Sequence, residues 1–177
     1  AILVTGANGE MGHGLIEALH SENHRNIVAM DLNKLEHSIF GFCLEEIIGN
    51  ILDKDLIDQL HGEFEFNTIY HLAALLSTRA EFSPQSAHSL NVGGTMNLLN
   101  LAITQGRSQG KQIKFFFPSS IAVYGFKNLE EKKTASTIKE NSYRNPHTMY
   151  GCNKLYCECL GNYYSSNYQS LGSEKQQ

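Results

Sequence analysis

Apolar runs and amphipathic stretches alternate along the chain from its first residue. The run AILVTG at 1–6 is almost continuously apolar and ends in threonine and glycine, which is typical of a strand buried on both faces of a sheet. The next stretch, 11–22, repeats apolar residues at a spacing of three or four, beginning with Met11 and Leu15. This stretch predicts an amphipathic helix that packs on the first strand.

The same alternation continues through the rest of the chain. Further strands are predicted at 26–31, 45–53, 68–74 and 111–120. Further helices are predicted at 56–62, 83–104 and 147–168. Because buried strands alternate with helices, the sequence predicts an α/β fold: a Rossmann-type, doubly wound parallel sheet in a three-layer α/β/α arrangement.

Residues that start and stop helices set the expected boundaries. Ser83 is placed to cap the helix at 83–104, with Pro84 in its first turn, and Gly62 is expected to end the helix at 56–62. We expect one domain over 1–171, followed by a polar tail at 172–177. The polar connection between the fifth strand and the last helix is long, and such loops are usually functional or mobile.

Composition and charge narrow the function classes. The 177 residues are 41% hydrophobic and 18% charged, with a net charge of −4, so neither nucleic acid nor another polyanion is an expected partner. The apolar runs are too short to span a bilayer, and no charged and then apolar leader is visible. Four cysteines fit a reducing compartment. We therefore expect a cytoplasmic protein.

The segment TGANGEMG at 5–12 lies after the first strand and opens the first helix. Gly6 allows a tight turn, Gly9 allows the backbone to approach a pyrophosphate, and Gly12 allows close packing of helix on strand. The first amides of the helix then face an anion, with the helix dipole behind them. At the end of the second strand, the Asp31 carboxylate is placed to bind ribose hydroxyls, which favours NAD over NADP.

These motifs, together with HLAA, SSIAVYG and YGCNK in the same order, resemble the extended short-chain dehydrogenase/reductase superfamily. Within it, the chain resembles the NAD-dependent epimerase/dehydratase family over residues 1 to about 171. The resemblance implies NAD as the cofactor. Besides the three glycines and Asp31, it implies cofactor contacts from Asn8, Glu10, Met11, Leu32, Leu52, Asp53, Leu72, Ala73, Ala74, Leu76, Asn91, Ser119, Tyr150 and Lys154.

Some of these roles are specific to one part of the cofactor. The resemblance implies that Asp53 contacts the adenine amino group, with Leu52 near the ring, and that Asn91 supports the nicotinamide end. Leu72 and Leu76 bound a loop whose backbone would run along the cofactor.

The resemblance also implies a catalytic group of Ser120, Tyr150 and Lys154. Tyr150 and Lys154 are four residues apart, so they lie on one face of a helix. We expect the ammonium to lower the pKa of the phenol, so that Tyr150 accepts a substrate proton while Ser120 holds the substrate oxygen. Substrate contacts are expected from Ser77, Thr78, Ser120 and Tyr150. Ser77 and Thr78, with Glu81, lie in a loop after the fourth strand that could reach the substrate, and a solvated loop is the alternative.

Two substrate branches compete. HLAALLS and the YGxxK segment with its flanking residues resemble L-threonine 3-dehydrogenases, which favours a small hydroxy acid or amino acid. SSIAVYG is more similar to nucleotide-sugar epimerases, so a UDP-sugar 4-epimerase or dehydratase is the alternative. A catalytically idle NAD-binding scaffold is the alternative of another class. His20 and His24 have no visible third ligand, so no metal site is expected.

Relatives of this kind continue past the last helix. They carry another core strand and a smaller substrate domain, whereas here YQSL is followed by GSEKQQ, so the C-terminal substrate domain is expected to be missing or truncated. The resemblance also implies a homodimer formed through the helices at 83–104 and 147–168.

Overall fold

A computed structural model of the chain describes residues 1–135, 137–168 and 171–172. Six parallel strands form one sheet in the order β3-β2-β1-β4-β5-β6. The strands are β1 (Ile2–Thr5), β2 (Ile27–Asp31), β3 (Glu45–Ile48), β4 (Thr68–His71), β5 (Ile113–Phe116) and β6 (Leu171–Gly172). The chain therefore has the predicted doubly wound parallel sheet.

Helices connect the strands and cover both faces of the sheet. They are α1 (Glu10–Ser21), α2 (His37–Phe40), α3 (Lys54–Glu63), α4 (Ser77–Phe82), α5 (Pro84–His88), α6 (Gly94–Gln109), α7 (Leu129–Thr134) and α8 (Met149–Asn167). A π-helical turn at Ser89–Gly93 joins α5 to α6, and a 3-10 turn at Ile121–Val123 follows β5.

Two apolar layers follow from the alternation of side chains along the central strand. Ile2 and Val4 of β1 pack toward α1, in a cluster that includes Ile16. Leu3 points to the opposite face, in a larger cluster that includes Leu98 of α6. The central strands β1 and β2 are therefore buried between two layers, as their continuous apolar runs predict.

The strand order creates a crevice at one edge of the sheet. Thr5, the last residue of β1, pairs with Met30 of β2 on one side and with His71 of β4 on the other. The chain leaves β1 toward β2 and leaves β4 toward β5, so connections diverge at this point. Ligands of doubly wound sheets bind at such a divergence, beyond the carboxyl ends of the strands.

Several predicted boundaries are wrong. Gly62 lies inside α3, which ends at Glu63. The predicted helix 83–104 consists of α5, the π turn and α6. It continues to Gln109 and is followed by Gly110, which has a left-handed φ of 65°. The predicted third strand is limited to Glu45–Ile48.

The end of the chain was also predicted imperfectly. Gly172, expected to begin a polar tail, belongs to β6, and the rest of that tail lies outside the described residues. Across the part of the chain that the structure describes, no helix is long and apolar enough to cross a membrane.

The two helices expected to pair in a dimer lie against each other. The π turn and α6 contact α8 on one face of the sheet, where the Cys157 thiol of α8 donates to the Asn91 carbonyl at 3.4 Å. Met96, Tyr156 and Tyr163 on these helices are exposed. Pairing of two copies through these helices stays a prediction.

Candidate active site

The turn between β1 and α1 has the geometry that the glycine spacing predicts. Gly6 has a φ of 72°, and a Cβ there would lie 2.6 Å from the Ala73 nitrogen. A Cβ at Gly12 would lie 2.4 Å from the Ala7 carbonyl oxygen. Both positions exclude a side chain, one because of its backbone conformation and both because other backbone lies too close. Helix α1 starts directly after Gly9, so its first amides point out of the turn.

A cavity of about 370 Å³ opens in front of this turn. It lies beyond the carboxyl ends of the central strands, where the strand order places the crevice. Many predicted cofactor residues line it: Gly6, Gly9, Glu10, Met11, Gly12, Asp31, Leu32, Leu72, Ala73, Ala74 and Leu76. An anion-binding turn, an acidic strand end and an apolar wall thus share one cavity, and this combination fits a dinucleotide. Contact of these residues with a cofactor stays a prediction.

Asp31 lines the cavity and also accepts hydrogen bonds from backbone amides at the turn after β1 and at the loop after β2. One carboxylate oxygen accepts a hydrogen bond from the Asn8 amide at 3.0 Å, and the other accepts from the Asn33 amide at 3.1 Å. The Asn8 side chain does not line the cavity. Its side-chain nitrogen donates a hydrogen bond to the Lys34 carbonyl at 2.7 Å. Asn8 therefore holds the loop after β2 in place, and its contact with the cofactor stays a prediction.

The structure does not bring Asp53 and Leu52 into the cavity. The Asp53 carboxylate caps α3, accepting from the amides of Asp55 and Leu56 at 3.1 and 3.2 Å. The cavity is instead lined by residues that the sequence analysis missed, namely Met30, Gly49, Asn50, Ile51 and Leu90. Both capping bonds use the same carboxylate oxygen of Asp53, and the contact of Asp53 and Leu52 with the adenine stays a prediction.

The loop after β4 is fixed from two sides. The Leu72 amide donates to the Thr5 carbonyl at 3.0 Å, which holds the start of the loop to β1. Leu75 is held by Asn91: its amide donates to the Asn91 side-chain oxygen at 2.7 Å, and its carbonyl accepts from the Asn91 side-chain nitrogen at 3.1 Å. Asn91 is buried and outside the cavity, so it positions the cavity wall through the backbone of Leu75.

His71 is a buried structural residue. Its two ring nitrogens lie 2.9 Å from the Thr5 hydroxyl and 3.0 Å from the Thr95 hydroxyl. Burial, with a smaller contribution from the charge of Lys154, lowers the pKa of His71 from 6.5 to about 3. The imidazole is therefore neutral in the folded chain at every physiological pH.

Acid is expected to destabilise the fold through His71. Between pH 6.5 and about 3 the unfolded chain binds a proton at this position and the folded chain does not, so stability falls as the pH decreases. The expected slope is up to about 1.4 kcal/mol per pH unit. Urea titrations at about pH 7 and about pH 5 measure it. His71→Gln should flatten the slope and exposed His88→Gln should keep it; equal slopes in both variants would contradict this account.

The segment after β5 presents the predicted catalytic serine. Ser120 precedes the 3-10 turn, and its hydroxyl oxygen accepts from the Ala122 amide at 3.1 Å. The hydroxyl of Ser119 instead donates to Glu158 of α8, which also accepts from Arg144. Ser119 thus helps to tie the strand end to α8, and Ser120 is the better candidate to meet a substrate.

Helix α8 is pressed against this segment at its first turn. A Cβ at Gly151 would lie 2.1 Å from the Ala122 carbonyl oxygen, so the helix approaches the 3-10 turn at backbone distance. Three residues later in α8, the Lys154 ammonium donates to the Pro118 carbonyl at 2.9 Å and lies 4.2 Å from the centre of the Phe117 ring. The structure therefore gathers the predicted catalytic residues at the end of β5.

The predicted effect of Lys154 on Tyr150 is not what the structure shows. Burial raises the pKa of Tyr150 above its usual value, and burial lowers the pKa of Lys154 from 10.5 to about 8. The ammonium lies 5.6 Å from the Tyr150 ring centre and donates to a backbone carbonyl instead. Desolvation of the phenolate therefore outweighs attraction by the ammonium in the chain alone.

The predicted substrate residues lie on a helix rather than a loop. Ser77 and Thr78 form the first turn of α4 and are exposed. At the end of the same helix, the Glu81 carboxylate accepts from the Met149 amide at 2.7 Å. Helix α4 therefore spans from the cavity wall to the N-terminus of α8. Contact of Ser77 and Thr78 with a substrate stays a prediction.

Metal chemistry has no candidate site in the described ranges. Among residues 1–135, 137–168 and 171–172, no group of three or more His, Cys, Asp or Glu side chains is placed to hold a metal ion. His20, which was considered as one ligand of a pair, stacks on Phe42 with ring centres 4.2 Å apart.

Fold and site together define a dinucleotide-binding α/β domain with a tyrosine and a lysine beside the cavity edge of the sheet. The sequence profile of the NAD dependent epimerase/dehydratase family matches residues 2–172. The chain belongs to this family.

Similar proteins agree with this assignment. An uncharacterized epimerase/dehydratase of Staphylococcus epidermidis is 35% identical over 165 residues, which are 92% of this chain and 48% of that protein. L-threonine dehydrogenase from Clostridium difficile superposes with a TM-score of 0.81 at 32% identity, over 97% of this chain and 51% of that one. UDP-glucose 4-epimerase from Brucella ovis, solved with NAD, has a TM-score of 0.78 at 25% identity, over 97% and 49%. The chain spans about half the length of the relatives it matches.

Proposed function

We propose that the protein is an NAD-dependent oxidoreductase that oxidises a secondary alcohol of a small hydroxy acid or amino acid, with L-threonine as the leading candidate. The observation that carries this proposal is the position of Tyr150 and Lys154. They share one face of α8, and that helix is pressed against the segment that carries Ser120. The cavity that fits a dinucleotide opens at the same edge of the sheet.

The chain's own residues would divide the work as follows. Ser120 would hold the substrate oxygen through its hydroxyl, and Tyr150 would accept the hydroxyl proton at its phenolic oxygen. The Lys154 ammonium, fixed by Pro118 and Phe117, would stabilise the phenolate once a substrate displaces water from the site. NAD, when bound, supplies the hydride acceptor.

Two observations support a threonine-type substrate. Over the aligned part, the C. difficile dehydrogenase is 32% identical to this chain and the B. ovis epimerase is 25% identical, at the same coverage of this chain. Helix α4 also places the small hydroxyl side chains of Ser77 and Thr78 beside the cavity wall, where Leu76 lines the cavity. Such groups suit a small polar substrate.

The second candidate is a nucleotide-sugar epimerase or dehydratase. The segment from Ser119 to Gly125 favours it, because SSIAVYG is more similar to epimerases than to threonine dehydrogenases. Both reactions begin by oxidising an alcohol, so the same three catalytic residues would serve either one. A catalytically idle scaffold has no use for Ser120, Tyr150 and Lys154 together.

A substrate screen on the full-length protein separates these candidates. NADH formation is followed by its absorbance with L-threonine, small sugar acids and UDP-sugars, each with NAD present. A dehydrogenase accumulates NADH with the first two groups. An epimerase returns the hydride, so it interconverts UDP-sugars without net NADH. NAD binding without either reaction would contradict both and leave the scaffold.

A further inference from the structure

Glu81 makes a contact that the proposed reaction does not use directly. Its carboxylate, at the end of α4, accepts a hydrogen bond from the Met149 amide at 2.7 Å. Met149 is the first residue of α8 and precedes Tyr150. Thr148, the residue before the helix, caps a second amide, that of Gly151, at 3.0 Å. Two amides at the N-terminus of α8 are thus capped, one by the adjacent Thr148 and the other by Glu81 of α4.

The other end of α4 belongs to the wall of the cavity. Leu76 lines the cavity and caps α4, and its carbonyl accepts from the Ala80 amide at 2.9 Å. The preceding residue, Leu75, is held on both its amide and its carbonyl by the buried side chain of Asn91. Leu76 therefore belongs both to the cavity wall and to the start of α4, directly after a residue that Asn91 holds in place.

One side of α4 is packed against the rest of the chain. Ala80, in the middle of the helix, is fully buried, while Ser77 and Thr78 are exposed. Burial at Ala80 restricts movement of α4 on that side, because buried side chains are closely packed. The chain thus contains a short connection, about one turn and a half of helix, from the cavity wall at Leu76 to the first amide of α8.

We propose that Glu81 is a positioning residue that couples occupancy of the dinucleotide cavity to the placement of Tyr150, through α4 and the Met149 amide. This inference rests on the proposed function. A dinucleotide that contacts Leu76 would fix α4, and Glu81 would then fix the first turn of α8 and the tyrosine in it. Loss of a helix cap weakens the first turn, and a misplaced acid–base group is a poor catalyst.

Hydrogen exchange at the Met149 amide tests the coupling without any need for turnover. Full-length wild type, Glu81→Ala and Glu81→Gln are compared with and without NAD, with exposed Glu17→Ala of α1 as the matched control. Glu81→Ala should speed exchange at Met149 roughly fivefold, as loss of one cap predicts, while the glutamine oxygen of Glu81→Gln still accepts the bond. NAD should add protection at Met149 in wild type, Glu81→Gln and Glu17→Ala, and not in Glu81→Ala.

Kinetics provide the second readout. Glu81→Ala should lower kcat at least about fivefold and leave the NAD affinity within about twofold, and Glu81→Gln should restore most of kcat. A purely structural role would lower the active fraction without changing kcat per bound NAD. NAD-dependent protection at Met149 that persists in Glu81→Ala, or is absent from wild type that binds NAD, would overturn the coupling alone. Failure of wild type to bind NAD would overturn the proposed function as well.

Discussion

Replacing Tyr150 by phenylalanine in the full-length protein is expected to lower turnover by about 10²- to 10⁴-fold, the usual contribution of a general acid–base group. The phenylalanine ring fills the same half-buried space, so the fold and the cavity should not change. The affinity for NAD is expected to stay within about twofold, because the cavity wall is built mainly from the turn after β1, the end of β2 and the loops after β3 and β4. Turnover and NAD titrations on the same preparation measure both quantities.

Tyr156 offers the matched control. It lies on the same helix, six residues further along, and about half of its side chain is exposed (49%). Tyr156→Phe therefore removes the same hydroxyl group from α8 without touching the site, and it should keep the wild-type turnover. Full activity in Tyr150→Phe would show that another group takes the proton.

Gly12→Ala is expected to have the largest effect on the cofactor site. The new Cβ would lie 2.4 Å from the Ala7 carbonyl oxygen and 2.5 Å from that of Gly6, and both belong to the turn that faces the cavity. Since backbone cannot yield as a flexible side chain does, α1 must move away from β1. We expect a loss of stability of about 2–3 kcal/mol. NAD binding should weaken about tenfold or more, because the first amides of α1 no longer point at the pyrophosphate.

Gly14→Ala separates this clash from the helix propensity of alanine. Gly14 lies on the exposed side of the same helix, and a Cβ there has no other atom within 4 Å. This substitution should stabilise the chain by up to about 1 kcal/mol and leave NAD binding unchanged. Thermal unfolding and NAD titration of the two variants give the comparison. Similar behaviour of both alanine variants would refute the packing argument for Gly12.

Much of the fold follows from local patterns. The five longer strands lie within the predicted ranges. The prediction is clearest for β1 and β2, whose runs are almost continuously apolar, as strands covered on both faces require. Helices α2, α4 and α7 were not predicted. Each has six residues or fewer, so no repeat of apolar positions can build up. Such short helices are fixed by contacts distant in sequence, as Glu81 and Met149 show for α4.

The candidate site, like the fold, could be predicted from the sequence only in part. The glycines of the turn, Asp31, Ser120, Tyr150 and Lys154 follow from motifs, because their spacing is itself the geometry that the turn or helix needs. Asn50 and Ile51 were missed because nothing in the sequence GNILD shows which of its residues line the cavity and which one caps the next helix. The predicted shift in the pKa of Tyr150 had the wrong direction. Burial raises this pKa, and the extent of burial depends on how α8 packs, which the sequence does not show.

The π-helical turn at Ser89–Gly93 has a consequence for how sequences of this kind can vary in length. A π turn holds one residue more than an α-helical turn, and here that residue sets the rotation at which Asn91 meets Leu75. Deleting one residue from the turn would rotate everything before it by about 100° relative to α6. The segment therefore tolerates substitutions more readily than deletions. Insertions and deletions are better accommodated beyond Gly110, where α6 has already ended.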